Sequence, residues 1–488
     1  MSVTVLLALT LSLPLLGAVL IAMSNGKPNQ RETVTLLTAV ALFATVVALT
    51  PKVLAGERPY LELLDILPGV ALAFRIEPLG MLFALVASFL WIVNSIYSIG
   101  YMRGNKERHQ TRFYVCFAAA LWATMGVAFS ANLLTLFIFY EALTISTYPL
   151  VTHQGNEAAI RGGRTYLGIL LTTSIGVMLP AIILTAYLVG TLDFRAGGIL
   201  AGKVSPEMGG LLLFLFMYGT GKAALMPIHR WLPAAMVAPT PVSALLHAVA
   251  VVKAGVFVVV KLIVYTFGID YLAKLTNTDW LLYISGATIL IASTIALSAD
   301  NLKRRLAYST VSQLSYVIMA AAILAPISAV GAAMHIAAHA FGKITLFFAA
   351  GSIYTASHKT EVSQLNGIGR RMPWTMGAFA IGALSMIGVP PTAGFVSKWY
   401  ILLGALDAQS TVAIVVIVVS TLLNAAYFLP VIYAAFFRKP PEGDEHKHGE
   451  APLPIVIALC ITAAGTIVLF FLPDIPLALA RAMAGVGG

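Results

Sequence analysis

The chain has 488 residues, 59% hydrophobic and 10% charged, with a formal net charge of +10. A soluble domain carries about 25% charged residues, so water is excluded as the solvent for most of this surface, and length counts membrane spans rather than soluble domains. The basic excess does not point to nucleic acid. That footprint needs a clustered basic face on a polar domain, whereas these basic residues sit mostly in short loops between apolar runs.

Taken in order, the apolar run from Val3 to Met23 lacks a preceding basic segment and is long for a cleaved leader. It reads as an uncleaved first helix. Segments long enough to span a bilayer follow at 32–54, 78–101, 113–130, 132–152, 163–190, 209–226, 240–266, 280–299, 306–326, 328–356, 372–406, 410–437 and 452–473. An all-α integral membrane fold with about fourteen transmembrane helices is the prediction. Residues 56–77 break the pattern, because Tyr60 to Arg75 alternates around Pro68-Gly69 and predicts a small β-hairpin outside the membrane. Residues 191–208 read as a loop and 440–450 as a charged linker. His446 and His448 in that linker can ligate a metal, but a solvated loop is the simpler reading. Cys116 and Cys460 lie in apolar runs without a CxxC or a nearby His, and read as buried, inert thiols.

Loops after odd-numbered spans hold seventeen Lys and Arg, and the opposite loops hold seven. Basic loops stay in the cytoplasm, so both termini are expected on the outer side of a cell inner (plasma) membrane. The six remaining basic residues, Lys222, Arg230, Lys253, Lys261, Lys343 and Lys398, lie within spans. A charge at a span centre costs roughly 2.5–3.5 kcal/mol on insertion scales, and such residues mark ion or proton routes. The simpler alternative for each is a charge that snorkels to the interface or braces two helices.

Glu141 is the one carboxylate deep in its span, near the midplane, and needs a cation or a proton. Lys222 lies near the midplane of a span that Pro227 and Pro233 interrupt. Proline breaks a helix, and broken helices are where transporters place ion sites. Lys253 sits similarly deep, with His247 six residues earlier, roughly 9 Å along a helix axis. That gap suits one or two waters. Lys261, nearer the outer end of this helix, is expected to snorkel. His335, His339 and Lys343 recur every fourth residue and share one helix face. They suit a proton relay, and no third ligand turns the histidines into a metal site. Lys398 follows a second break made by Gly388, Pro390, Pro391 and Gly394. Two lysine-bearing breaks suggest an internal inverted repeat. Burial weakens an ammonium's hold on its proton and a nearby carboxylate restores it, so a Lys–Glu pair is a switch, with histidines bridging between.

These residues lie in stretches that resemble a known family. GKAALMPIHRWLPAAMVAPTPVSALLHAVAVVKAGVF (221–257), IFYEALTISTYPLVTH (138–153), KRRLAYSTVSQLSY (303–316), HIAAHAFGKITLFFAAGSIY (335–354) and MIGVPPTAGFVSKW (386–399) are similar to the proton-conducting antiporter-like subunits. These belong to Mrp-type cation/proton antiporters, respiratory complex I and membrane-bound hydrogenases. The resemblance covers roughly 75 to 430, in the family's motif order. It implies fourteen helices with two inverted five-helix repeats, each with a broken helix. The chain then divides into an N-terminal three-helix segment at 1–110, repeats at 111–270 and 279–437, and a linker with the final helix at 438–488. It implies a pair between Glu141 and Lys222, a central relay at Lys253, a bridge through His335, His339 and Lys343, and a terminal lysine at Lys398. Among family types, the chain looks most like the D subunit of Mrp-type antiporters.

The expected function is thus the proton-translocating subunit of a multisubunit monovalent cation (Na+) antiporter, a transporter subunit rather than an enzyme. Its expected partners are the other subunits of that complex, the lipid bilayer, protons and monovalent cations, with no cofactor and no nucleic acid. The alternatives are a proton-pumping subunit of a complex I-like or hydrogenase assembly, and a non-transporting scaffold that keeps these residues as structural ion pairs.

Overall fold

The computed structural model describes residues 2–67, 69–440 and 449–486, so His446 and His448 lie outside the described residues. Helix boundaries follow local chemistry. The side chains of Asn132, Asn156, Ser205 and Asn301 each accept the backbone N–H three residues on, which satisfies a donor that a helix start leaves orphaned. Prolines open Pro28–Leu54, Pro78–Gly104, Pro326–Ser357 and Pro373–Ile387, where the missing N–H costs nothing.

Among the described residues, eleven helices are long and apolar enough to cross a membrane. The three other expected spans fall on elements with a visible reason for missing that standard. Pro206–Gly219 and Pro373–Ile387 are short because the chain breaks after them. Leu302–Ala322 carries Lys303, Arg304 and Arg305 in its first turn and Ser309, Thr310, Ser312, Gln313 and Ser315 along its middle.

Two helices form the centre. The most apolar stretches of Thr240–Phe267 and Pro326–Ser357 are entirely buried, whereas those of Val3–Met23, Thr411–Phe437 and Leu453–Phe471 are only 33–39% buried. The outer helices turn Leu16, Leu20, Ile183, Leu422 and Phe437 outward, an apolar belt that suits lipid and not water. The 32 residues of Pro326–Ser357 make a rod about 48 Å long at 1.5 Å per residue, longer than the hydrocarbon layer of about 30 Å.

The helical ladder is irregular beside several buried titratable residues. Thr240–Phe267 contains π-helical turns at Leu245–Val249 and Leu262–Phe267. A π turn marks an inserted residue and often a functional site. The chain from Pro206 runs as helix to Gly219, then as short turns at Gly221–Ala223, Ile228–Arg230, Trp231–Ala234 and Ala235–Val237. The second break separates Pro373–Ile387 from Ala393–Asp407.

Strands Tyr60–Leu67 and Val70–Arg75 pair antiparallel, with Tyr60 opposite Arg75 and two register irregularities. The hairpin is tied to the helices: Thr135 Oγ1 accepts from Ala73 N at 3.1 Å, and Asn132 Nδ2 donates to the Ala71 carbonyl at 2.7 Å. Cys116 and Cys460 are free and half-buried, which corrects the expectation of buried thiols. Cys460 lies on Leu453–Phe471, whose apolar stretch is only 33% buried, and Cys116 on the less buried side of the otherwise well-packed Gln110–Phe129.

Candidate functional site

The central helices carry His247, Lys253, His335, His339 and Lys343, and the two broken segments carry Lys222 and Lys398. Lys222, His247, Lys253, His335 and Lys343 are completely buried, with His339 at 1% and Lys398 at 6% exposure.

At the first break, Lys222 sits on the turn Gly221–Ala223. Its Nζ donates to the Tyr140 carbonyl at 2.8 Å and to Thr144 Oγ1 at 2.6 Å, and lies 3.2 Å from the Tyr140 ring centre. The Tyr140 hydroxyl accepts from the Lys222 backbone N–H at 3.0 Å. One tyrosine therefore fixes both the turn and the ammonium. Gly255 makes room for this turn. A Cβ there would run into the backbone of Lys222 and Ala223, so the helix bearing Lys253 can seat against the Lys222 turn only without a side chain at 255.

Glu141 corrects the expected pair. Its carboxylate is near enough to act on Lys222 electrostatically. Yet none of the ion pairs among the described residues, taken at 4.0 Å or less, includes it, and both its oxygens are buried without a hydrogen-bond partner. The cause is local. Thr144 lies one turn on from Tyr140 along Leu133–Val151 and takes the ammonium, while Glu141 points about 100° further round the helix.

Between the halves, the Lys253 ammonium hydrogen-bonds His339 Nδ1, so the two central helices meet through these side chains. His339 Nε2 and both nitrogens of His247 lack a partner. The His247 ring packs 4.8 Å from that of Phe347. His247 lies inside the π turn Leu245–Val249, so its spacing to Lys253 departs from that of the regular α-helix expected there.

In the second half, the rings of His335 and His339 stack with centres 6.0 Å apart. Lys343 Nζ donates to Ser309 Oγ at 2.8 Å, and the Tyr427 hydroxyl reaches the same oxygen at 3.0 Å. Lys398 Nζ donates to the carbonyls of Met386 at 2.8 Å and Ile387 at 3.0 Å, and lies 4.7 Å from the centre of the Tyr316 ring. Those carbonyls are the last of Pro373–Ile387, where the helix dipole is negative.

Sequence reasoning missed several polar partners. Tyr140, Thr144, Ser309, Gln313, Tyr316, Ser397, Asn424 and Tyr427 all contact the lysines, the histidines or one another, and all are buried. Each is a common residue type in an apolar run, and nothing in its spacing sets it apart. Lys261 was expected to snorkel. It is instead completely buried, with Nζ donating to the Ser130 carbonyl at 2.7 Å and lying 4.4 Å from the Phe194 ring centre. The loop Ser130–Ala131 and the segment around Phe194 close over the outer end of the helix and supply the acceptor that solvent was expected to supply. Among the described residues, no group of three or more His, Cys, Asp or Glu converges at metal-ligand distance.

The fold defines a multi-pass membrane protein whose titratable side chains gather along its central helices. Residues 130–424 match the family described as NADH:quinone oxidoreductase/Mrp antiporter, transmembrane region, and residues 69–114 match the N-terminus of complex I chain 5. The chain belongs to this antiporter-like family. It is 32% identical over 451 residues to NADH-quinone oxidoreductase subunit N of Desulforudis audaxviator, covering 89% of each chain. It is 30% identical to a probable K(+)/H(+) antiporter component of Rhizobium meliloti, over 87% of this chain but 44% of that relative. Among solved structures, a chain of the Mrp complex from Dietzia sp. DQ12-45-1b superposes over 99% of this chain and 97% of its own, with a TM-score of 0.88 at 21% identity. A chain of an archaeal membrane-bound sulfane sulfur reductase superposes over 98% and 97%, with a TM-score of 0.85 at 23% identity. At such identities the likeness speaks for the fold.

Proposed function

We propose that this chain is the proton-translocating, D-like subunit of a multisubunit monovalent cation/proton antiporter of the Mrp type, working with sodium. Protons move along Glu141, Lys222, Lys253, His339, His335 and Lys398, with His247 and Lys343 beside the line. The contact between Lys253 and His339 carries this reading. It joins a lysine of the first half to a histidine of the second without a gap, and buried ionisable groups in membrane spans are costly enough to be kept for transport. The irregular backbone at Lys222 and Lys398 lies next to these groups, as in transporters that bind ions at broken helices.

In this reading, residues 111–270 and 279–437 are inverted repeats, the other antiporter subunits are the partners, and the chain lies in the inner (plasma) membrane with both termini outside. Proton flow inward drives cation export. The N-type quinone oxidoreductase relative, matched over 89% of both chains, supports a second reading in which redox energy drives the same relay.

Everted vesicles carrying the protein with its native partner subunits test the proposal. With a pH gradient followed by a pH-sensitive dye, added sodium, potassium or lithium collapses the gradient, and Lys222→Ala abolishes the response. No response to any cation, together with NADH- or ferredoxin-linked acidification, would replace the antiporter reading with the redox-driven one.

A further inference from the structure

His335 is held at both nitrogens by groups of different chemistry. Its Nε2 lies 3.0 Å from Gln313 Oε1, and its Nδ1 lies 2.8 Å from Ser397 Oγ. The orientation of the Gln313 amide follows from its other end. That end lies 3.4 Å from the Met386 carbonyl oxygen and 3.4 Å from Asn424 Oδ1. A backbone carbonyl only accepts, so the NH2 must face it and the amide oxygen must face His335. An amide oxygen accepts a hydrogen bond but passes no proton on, so Nε2 has to be the protonated nitrogen.

Ser397 is different. Its hydroxyl lies between His335 Nδ1 and the Gly394 carbonyl, 3.1 Å away. It has a single proton and two places to point it. Toward Nδ1, it satisfies a neutral ring; toward Gly394, it leaves its own oxygen free to accept from a charged ring. All three side chains are completely buried.

We infer that Gln313 is a positioning residue that fixes the His335 tautomer with the proton on Nε2, and that the Ser397 hydroxyl is a two-position carrier serving Nδ1 as the one working nitrogen. This rests on the proton-relay reading above. In the loading step, Nδ1 takes the hydroxyl proton of Ser397 while Oγ takes the proton that the relay delivers. The serine stays neutral and the ring gains one positive charge. The replaced hydroxyl proton then points to Gly394. Around the ring, the other titratable and charged groups are Tyr316 and His339, with ring centres at 5.7 and 6.0 Å, and Lys398, Lys253 and Lys343. Like charges oppose one another in a low-dielectric interior, so a charge on any of these lysines disfavours a charged ring.

The experiment uses the assembled complex with 15N-labelled histidine in lipid, with the His335 resonances assigned by their loss in His335→Gln. Solid-state NMR at neutral pH is expected to show His335 protonated at Nε2 and bare at Nδ1. Gln313→Leu is expected to convert this into a mixture of tautomers and to shift the pH profile of transport, while Gln313→Glu, which keeps an acceptor, retains the Nε2–H form. Ser397→Ala is expected to keep the tautomer but to slow transport about tenfold, the scale of one lost buried hydrogen bond, and Ser397→Thr restores it. A wild-type ring protonated at Nδ1, or an unchanged ring signal in Gln313→Leu, overturns the inference. Should Gln313→Leu fail to assemble, the wild-type and Gln313→Glu spectra still decide it. Wild-type vesicles inert to every cation would sink the antiporter reading and leave the tautomer result standing.

Discussion

The two broken helices each present a lysine, but they hold it differently. At the first break, the ammonium of Lys222 is held from another helix, by the Tyr140 carbonyl and ring and the Thr144 hydroxyl, with Glu141 beside them. At the second, Lys398 turns back onto the carbonyls of Met386 and Ile387, the end of the helix just before it in the chain. No ion pair among the described residues includes Lys398. The first lysine is thus sensitive to how Leu133–Val151 seats against the break and to the charge on Glu141. The second depends on whether Pro373–Ile387 stays wound to its last turn. The same residue type is held by a tertiary contact in one half and by local backbone geometry in the other.

The largest expected effects remove the lysines of the two breaks or the carboxylate beside the first. Lys222→Ala, Lys398→Ala and Glu141→Ala should each lower cation-dependent proton transport in vesicles by about two orders of magnitude, the scale of a lost proton-transfer group, while the partner subunits still co-purify. Near-normal transport in all three would end the relay reading, and loss of assembly in all three would favour structural ion pairs. Arginine separates charge from proton transfer, because a guanidinium does not give up its proton. Lys222→Arg and Lys398→Arg should therefore be as inactive as the alanine variants. Restored transport in either would mean that its lysine serves only as a brace.

Next in size is a change confined to the first break. Gly255→Ala places a methyl group against the backbone of Lys222 and Ala223. Backbone cannot move aside as a flexible side chain does, so the cost is about 1–3 kcal/mol of overpacking and a transport loss with the second break intact. Thr144→Val keeps the shape and removes one of the two hydrogen-bond acceptors of Lys222. It should weaken the hold on the ammonium by about 1 kcal/mol and change the rate several-fold. A wild-type rate in both variants would mean that the first break tolerates a loose lysine, and the contrast between the halves would disappear.

Much of this was legible in the sequence, for reasons that differ by residue. Lys222, Lys253 and Lys398 stand out because charge in an apolar run is expensive, and the prolines and glycines beside Lys222 and Lys398 announce the breaks. His335, His339 and Lys343 share a face because Pro326–Ser357 is a regular helix, for which the fourfold spacing holds. The π turn that carries His247 was not legible, since an extra residue in a helical turn leaves no mark in an apolar pattern. Gln313 and Ser397 were hidden because their partners lie 22 and 62 residues away, and only the packed structure brings them to His335. The expected Glu141–Lys222 pair failed at the level of side-chain direction: neighbours in sequence, Tyr140 and Glu141 point to different sides of one helix.

The second break has its own lever at the far end of the helix that leads into it. Glu450 accepts from the backbone N–H groups of Trp374 at 2.7 Å and Thr375 at 3.2 Å, and from the Thr375 hydroxyl at 2.5 Å. It therefore caps the start of Pro373–Ile387, the helix whose other end binds Lys398. Glu450→Gln removes the charge-assisted part of this cap, worth about 1 kcal/mol. It should lower the thermal midpoint and leave the first break unaffected. An unchanged midpoint would mean that the second helix is held by packing alone.

The smallest effect concerns pH and belongs to the loop beyond the first-half helix Leu133–Val151. His153 is buried, neither of its ring nitrogens has a hydrogen-bond partner, and the Glu107 carboxylate stays 3.9 Å from Nε2. Burial first, and the nearby Arg112 guanidinium second, lower its pKa from 6.5 to about 4, against a weaker opposing contribution from the backbone at Arg108. The folded loop thus holds His153 neutral where the unfolded chain would take up a proton. Its contribution to stability is complete above about 6.5 and is lost as pH falls from there toward 4, with an upper limit on the order of 3 kcal/mol at 1.36 kcal/mol per pKa unit. Arg112 donates to the His153 carbonyl at 3.1 Å, so the loosening should spread to the start of Gln110–Phe129. Hydrogen exchange of this loop in vesicles should rise between pH 7 and 5 in the wild type. His153→Phe, which can pack beside Phe113 as the imidazole does, should flatten that rise. Equal pH slopes in the two proteins would show that another group in the loop, with Glu107 the first to examine, takes up the proton instead.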